Sequence, residues 1–240
     1  MLQRFLSFAD ADRALCIFRK LARHDMRRLA LTGGFAIEIH RLRRRCRPSI
    51  RSLNDIDFIA DSFDSIPESL ADDFLFRHIH PLDPPGRTML QAIDRESALR
   101  IDVFRAYGGA MSRTSNLDLS TGPIQLISLE DLVARAARLA LDLAAGVPTP
   151  SKHVTDFQRL AELVDPAEME TVWRDHRKPG HPISFEETNR LLQRLIPVCQ
   201  DLLITPEYSK DTEKVCPRCR TTSAFRFADP KLILSTLGYC

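Results

Sequence analysis

The sequence predicts an α+β protein: a mixed sheet with few helices around it, then a helical C-terminal domain and a short cysteine-containing tail. Three observations carry this. NDIDFIA and ALRIDVFRAY alternate polar and apolar residues, as half-buried strands do. RRLALTGG reads as a short buried strand closed by a glycine pair. Beyond Gly122 the apolar period becomes that of helices.

The 240 residues, 44% hydrophobic and 28% charged, are globular in composition and sufficient for a sizeable core. At roughly 100 to 200 residues per domain, two domains and a tail are expected. Asp10 and Asp12 fall where a secretory signal needs an apolar stretch, and no run approaches the roughly 18 apolar residues of a membrane span. The expectation is a soluble cytoplasmic protein, with no membrane partner and reduced thiols at Cys16, Cys46 and Cys199.

In chain order, residues 9–24 carry helical spacing through Ala14, Ile17, Phe18 and Leu21, with Asp10 as the expected cap. RRLALTGG and FAIEIHRLRRR follow as strand, glycine turn and helix. NDIDFIA places Ile56 and Phe58 on one face and Asp55 and Asp57 on the other. LDPPGR marks a turn after Asp83, and TMLQAI and ALRIDVFRAY read as two strands that can pair. After GPIQLI come three helical segments beginning SLEDLVARAARLA, SKHVTDFQRL and FEETNRLLQRL. The expected division is 1–122, 123–204 and 205–240.

On a strand, residues i and i+2 project from one face roughly 6.5 to 7 Å apart, so Asp55 and Asp57 can converge on one site. Asp102, in RIDVF, sits between apolar neighbours on another strand. Three carboxylates so placed can share two hard cations, Mg2+ or alternatively Mn2+. Such ions stabilise the attacking and leaving oxygens of phosphoryl transfer. Gly33 and Gly34, between strand and helix, offer bare amides and a positive helix end to a triphosphate.

The order glycine turn, helix, DxD strand and later acid-bearing strand resembles that of the polymerase-β-like nucleotidyltransferases, with TGGFAIEIH, NDIDF and LRIDVF as the three motifs. Within that superfamily the chain resembles most the abortive-infection type nucleotidyltransferase toxins of bacteria and their uncharacterised relatives, over roughly residues 28–165. The resemblance rests on GG-x-A and on R-x-x-x-D-I-D, here Arg51 to Asp57. A lysine preceding an acid by four residues, Lys152 and Asp156, extends it. It implies an NTP (ATP-binding) transferase with Arg51 at the nucleotide, Lys152 reaching the triphosphate and Asp156 orienting it. Leu53 stands where the family often has Ser or Thr, and Arg135 replaces a common helix lysine, keeping the charge but changing its geometry. From the residues alone, Lys152 and Asp156 equally suit a surface i,i+4 ion pair.

Arg43, Arg44, Arg45, Arg47 and Arg51 follow the first phosphate-binding helix, so an electropositive rim beside the site is expected, attractive to RNA. Cys216 and Cys219 form CPRC, a zinc-knuckle-like turn. Cys240 offers a third ligand, and His176 or His181 is weighed as a fourth. His40, His78 and His80 are read as local hydrogen-bonding or packing residues. The expected activity is transfer of NMP from an NTP to a hydroxyl acceptor, RNA (tRNA) being preferred, in a toxin with an antitoxin partner. The alternatives are a nucleotide-sensing or partner-binding module without turnover, and an antibiotic-modifying nucleotidyltransferase.

Overall fold

The computed structural model describes residues 1–77, 89–147 and 149–199. The LDPPGR turn, His78, His80 and the cysteine-containing tail, with Cys216, Cys219 and Cys240, lie outside them. The fold is α+β on a mixed sheet. Helix α1 (Phe8–Leu21) precedes strand β1 (Leu29–Thr32), whose LALT run is buried throughout, and α2 (Gly33–Arg43) starts at the glycine pair. The cap of α1 is Ser7, not Asp10: its Oγ accepts from the Asp10 amide at 3.1 Å. Asp10 instead sits in the first turn, where a carboxylate complements the helix dipole, and pairs with Arg13.

Strand β2 (Asp55–Ala60) is followed by the short α3 (Leu70–Asp73) and by β3 (Phe74–Arg77), β4 (Met89–Asp94) and β5 (Arg100–Arg105). Strands β6 (Ser115–Leu119) and β7 (Gly122–Leu126) complete a seven-stranded sheet of order β3-β4-β5-β2-β1-β7-β6 among the described residues. The β4–β5 pairing is antiparallel, whereas β2–β5 and β1–β7 are parallel and β1–β2 is antiparallel. The sheet thus continues through Leu126, past the Gly122 position at which the apolar period was expected to turn helical. Short, partly polar strands such as SNLDL carry little periodic signal, and their pairing is long-range.

The helical portion comprises α4 (Leu129–Ala144), α5 (Lys152–Leu160), α6 (Pro166–His176) and α7 (Phe185–Cys199). Ser128 caps α4, accepting from the Asp131 amide at 3.0 Å. Helix α4 packs against α5, α6 and α7, and with α5 also touches α2. One apolar cluster runs from Leu2 to Ile196 through sheet and helices. Phe35 on α2 meets Phe5 and Phe18 edge-on at 5.7 and 5.9 Å, which ties the N-terminal segment to the glycine-turn helix. No helix among the described residues is long and apolar enough to cross a membrane.

Candidate active site

The register of β2 against β5 places Asp55 opposite Arg100 and Asp57 opposite Asp102. Alternation then puts all four side chains on one face. The ligand oxygens of Asp55, Asp57 and Asp102 lie within 4.8 Å of one another, so two strands bring together the three acids expected from the sequence. Hard carboxylate oxygens gathered so closely fit a divalent cation such as Mg2+ or Mn2+.

Close carboxylates oppose one another's ionisation. Burial, and then the charges of Asp55 and Asp102, push the Asp57 carboxyl up to about 7, while Arg135 and Lys152 work in the opposite direction. Asp102 is engaged at both oxygens: Gln91, its partner across β4, donates Nε2–H to Oδ1 at 3.0 Å, and Arg100 Nε lies 3.1 Å from Oδ2 in an ion pair that lacks hydrogen-bond geometry. The same guanidinium reaches Asp55 Oδ2 through Nη2 at 2.5 Å.

The glycine turn abuts these acids. Thr32 is the β1 partner of Asp57, and Gly33 follows with φ +64°, a left-handed conformation. A Cβ on Gly33 would fall 1.9 Å from Asp57 Oδ2, and one on Gly34 would fall 3.2 Å from Arg51 Nη1. The N-terminus of α2 therefore opens directly beside the acid trio, with the Arg51 guanidinium against Gly34.

Arg51 is held by carboxylates. Its Nε donates to Glu38 Oε1 at 2.8 Å and its Nη2 to Asp156 Oδ1 at 3.0 Å. The fully buried Glu38 also accepts from Arg159 Nη2 at 2.7 Å and the Ser49 amide at 3.0 Å. This network ties α2 and α5 to the segment entering β2. Asp156 thus pairs with Arg51 and not with Lys152, so the i,i+4 surface pair does not form. Exposed Lys152 has no ion-pair partner among the described residues, and its charge acts on Asp57.

Two further cations stand on α4. Arg135 lies over the Phe104 ring at 4.7 Å and Arg138 over Tyr107 at 4.6 Å, and neither has a carboxylate partner among the described residues. Arg138 is 7% exposed and its Nε is unpartnered. Burial, then Arg135, Lys152 and Arg138, push His153 down to about 3, so it is neutral near pH 7. Among the described residues, His40 and His176 are also engaged locally: His40 donates to the Ile127 carbonyl at 2.7 Å, and His176 Nε2 lies 2.9 Å from Asp131. His181 stacks on Trp173 at 6.0 Å.

Arg43, Arg44, Arg45 and Arg47 are exposed, but they gather at the C-terminal end of α2. At 1.5 Å rise per residue, that end is about 15 Å from the glycine turn. The rim expected beside the site is therefore one helix length away, and only Arg51 returns to the turn. Sequence reasoning missed Arg100, Gln91, Glu38 and Arg138. Arg100 was within reach, because its position two before Asp102 puts it on the same strand face.

Fold and site together define an α+β protein with a trio of close carboxylates beside a strand–glycine–helix turn. No protein-family model matches the chain, and no curated protein matches it. Among solved structures, it is similar to an antigenic nucleotidyltransferase-like protein from Paracoccidioides brasiliensis, at 17% identity and TM-score 0.42, over 82% of this chain and 92% of that one. It is also similar to JHP933 from Helicobacter pylori, at 14% identity and TM-score 0.32, over 82% of this chain and 94% of that one. At such identity, function is argued from the chain's own residues.

Proposed function

We propose that the protein is a metal-dependent nucleotidyltransferase that transfers NMP from an NTP to a hydroxyl acceptor. The observation that carries this reading is the register of Asp55, Asp57 and Asp102, whose ligand oxygens lie within 4.8 Å beside a glycine turn that only a residue without Cβ can make. Asp55, Asp57 and Asp102 hold the cation, Mg2+ or Mn2+. When bound, it supplies charge neutralisation at the attacking and leaving oxygens.

The chain's own groups do the remainder. The amides at Gly33 and Gly34 and the positive end of α2 receive triphosphate oxygens, while Arg51, kept in place by Glu38 and Asp156, adds charge at Gly34. Lys152, Arg135 and Arg138 supply further cations for the phosphate chain. Asp102 takes the proton of the acceptor hydroxyl, whose oxygen bonds to the α-phosphorus as the bond to the bridging oxygen breaks and pyrophosphate leaves. RNA is the favoured acceptor, because a polymer can span the helix length between the turn and exposed Arg43, Arg44, Arg45 and Arg47. A toxin role with an antitoxin partner, and a cytoplasmic site of action, extend this reading.

The test is incubation with each labelled NTP, Mg2+ and total RNA. The wild-type chain should label RNA and Asp57→Asn should not. Labelling that survives in Asp57→Asn would sink the catalytic assignment.

A further inference from the structure

Within the acid face of β2 and β5, one group has the opposite sign. Arg100 and Asp102 occupy one face of β5, Asp55 and Asp57 the same face of β2, and the cross-strand partners are Arg100 with Asp55 and Asp102 with Asp57. The second pair sets two carboxylates directly opposite each other, an arrangement that destabilises a ladder. The first pair compensates: Arg100 reaches Asp55 at 2.5 Å through Nη2 and Asp102 at 3.1 Å through Nε. One guanidinium thus bridges the outer members of the trio and competes for oxygens that a cation would need.

We propose that Arg100 is the internal counter-cation of the metal-free site, holding Asp55 and Asp102 together until a divalent cation displaces it. The inference rests on reading the trio as a metal site. Its physical basis is exclusion. Asp55 Oδ2 and Asp102 Oδ2 face Arg100, and Gln91 occupies the other oxygen of Asp102, so a cation using the Arg100-facing oxygens must break both ion pairs. The side chain of Arg100 is 37% exposed, so its head can move into water without crossing the core. Arginine also suits a guard: it stays charged at any working pH, so the competition does not switch off by deprotonation. The consequence is a site whose affinity for cations is lowered by the competing guanidinium, while its three acids remain gathered in the absence of metal.

The experiment compares Mn2+ binding by calorimetry, with no nucleotide present, to wild type, Arg100→Gln and Arg100→Lys, each checked for fold by circular dichroism. Thermal melting is measured with and without Mn2+. The expected result is Mn2+ binding tighter on the order of tenfold in Arg100→Gln. Its metal-free melting temperature should fall and its gain on adding Mn2+ should grow. Arg100→Lys, with one ammonium that cannot fork between two carboxylates, should fall between. Wild type that binds Mn2+ together with variants that bind no more tightly overturns the counter-cation role and leaves the metal site standing. Absence of Mn2+ binding in all three overturns the metal-site reading with it. Should Arg100→Gln fail to fold, tighter binding by Arg100→Lys supports the role and unchanged binding overturns it.

Discussion

The space a Cβ would need on Gly33 is filled by the carboxylate of Asp57: the distance to Oδ2 would be 1.9 Å. The turn that starts α2 and the acid at the middle of the trio are therefore one packing unit. Gly33→Ala should lose NMP transfer and, from the left-handed backbone alone, about 1–2 kcal/mol of stability. The close approach is testable separately. Combined with Asp57→Gly, the substitution should cost less than the sum of the single changes, by an interaction on the order of 1 kcal/mol in urea unfolding. Strict additivity would show that the contact is not made.

The state of Asp57 predicts how metal binding depends on pH. Its folded carboxyl is raised to about 7 from 3.8, so the metal-free fold gains from its protonation at low pH. That contribution is complete below the unfolded value and is lost as pH rises through about 7. A divalent cation must expel this proton. Mn2+ affinity, measured from pH 5.5 to 8.5, should therefore tighten up to about 7 and then level, with Asp57→Asn removing the proton release. A flat profile would contradict the placement of this proton.

Glu38 is the centre of the network that fixes Arg51. It is fully buried, and the Arg51 and Arg159 bonds and the Ser49 amide outweigh its burial, holding its carboxyl below the ordinary value. Glu38→Ala leaves two guanidinium groups without their shared partner. The expected cost is about 3–5 kcal/mol in denaturant unfolding. A loss below about 1 kcal/mol would mean that Arg51 is positioned by Asp156 alone.

These residues show what could be read from the amino-acid order and what could not. Asp55 and Asp57 were legible because a period of two places them on one face, and Asp102 because RIDVF repeats the pattern; the register that brings Asp102 opposite Asp57 is long-range and had to be seen. The Gly33–Gly34 turn was legible as punctuation, whereas its contact with Asp57 depends on β1 lying against β2. The Arg51–Asp156 pair was not legible: it requires α5 to dock beside the loop entering β2. Strands β6 and β7 escaped because SNLDL and GPIQL are short and acquire meaning only by pairing with each other and with β1.

A second buried carboxylate predicts acid sensitivity away from the trio. Burial raises the Asp131 carboxyl, but hydrogen bonds from Arg113, His176 and Ser128 prevail and bring it down to about 2. The stabilisation is present above the unfolded value of 3.8 and is lost as pH falls through about 2. That shift corresponds to about 2 kcal/mol. Unfolding measured from pH 5 down to 2 should show this loss in wild type and a flatter curve in Asp131→Asn. Equal slopes would remove Asp131 from the acid response.

Arg138 separates a role in binding from one in folding. It is buried against Tyr107 with an unpartnered Nε and no carboxylate among the described residues, so its charge is a cost to the folded state that the ring only partly offsets. Such a cation is explained if an anion completes it. Arg138→Met keeps the apolar stem and removes the charge. Stability should stay level or rise, while affinity for NTP, measured by calorimetry, should fall on the order of tenfold, as expected for losing a charge-assisted contact to phosphate. The opposite pattern, unchanged NTP affinity with stability lower by several kcal/mol, would make Arg138 a structural residue and confine the phosphate cations to Arg51, Arg135 and Lys152.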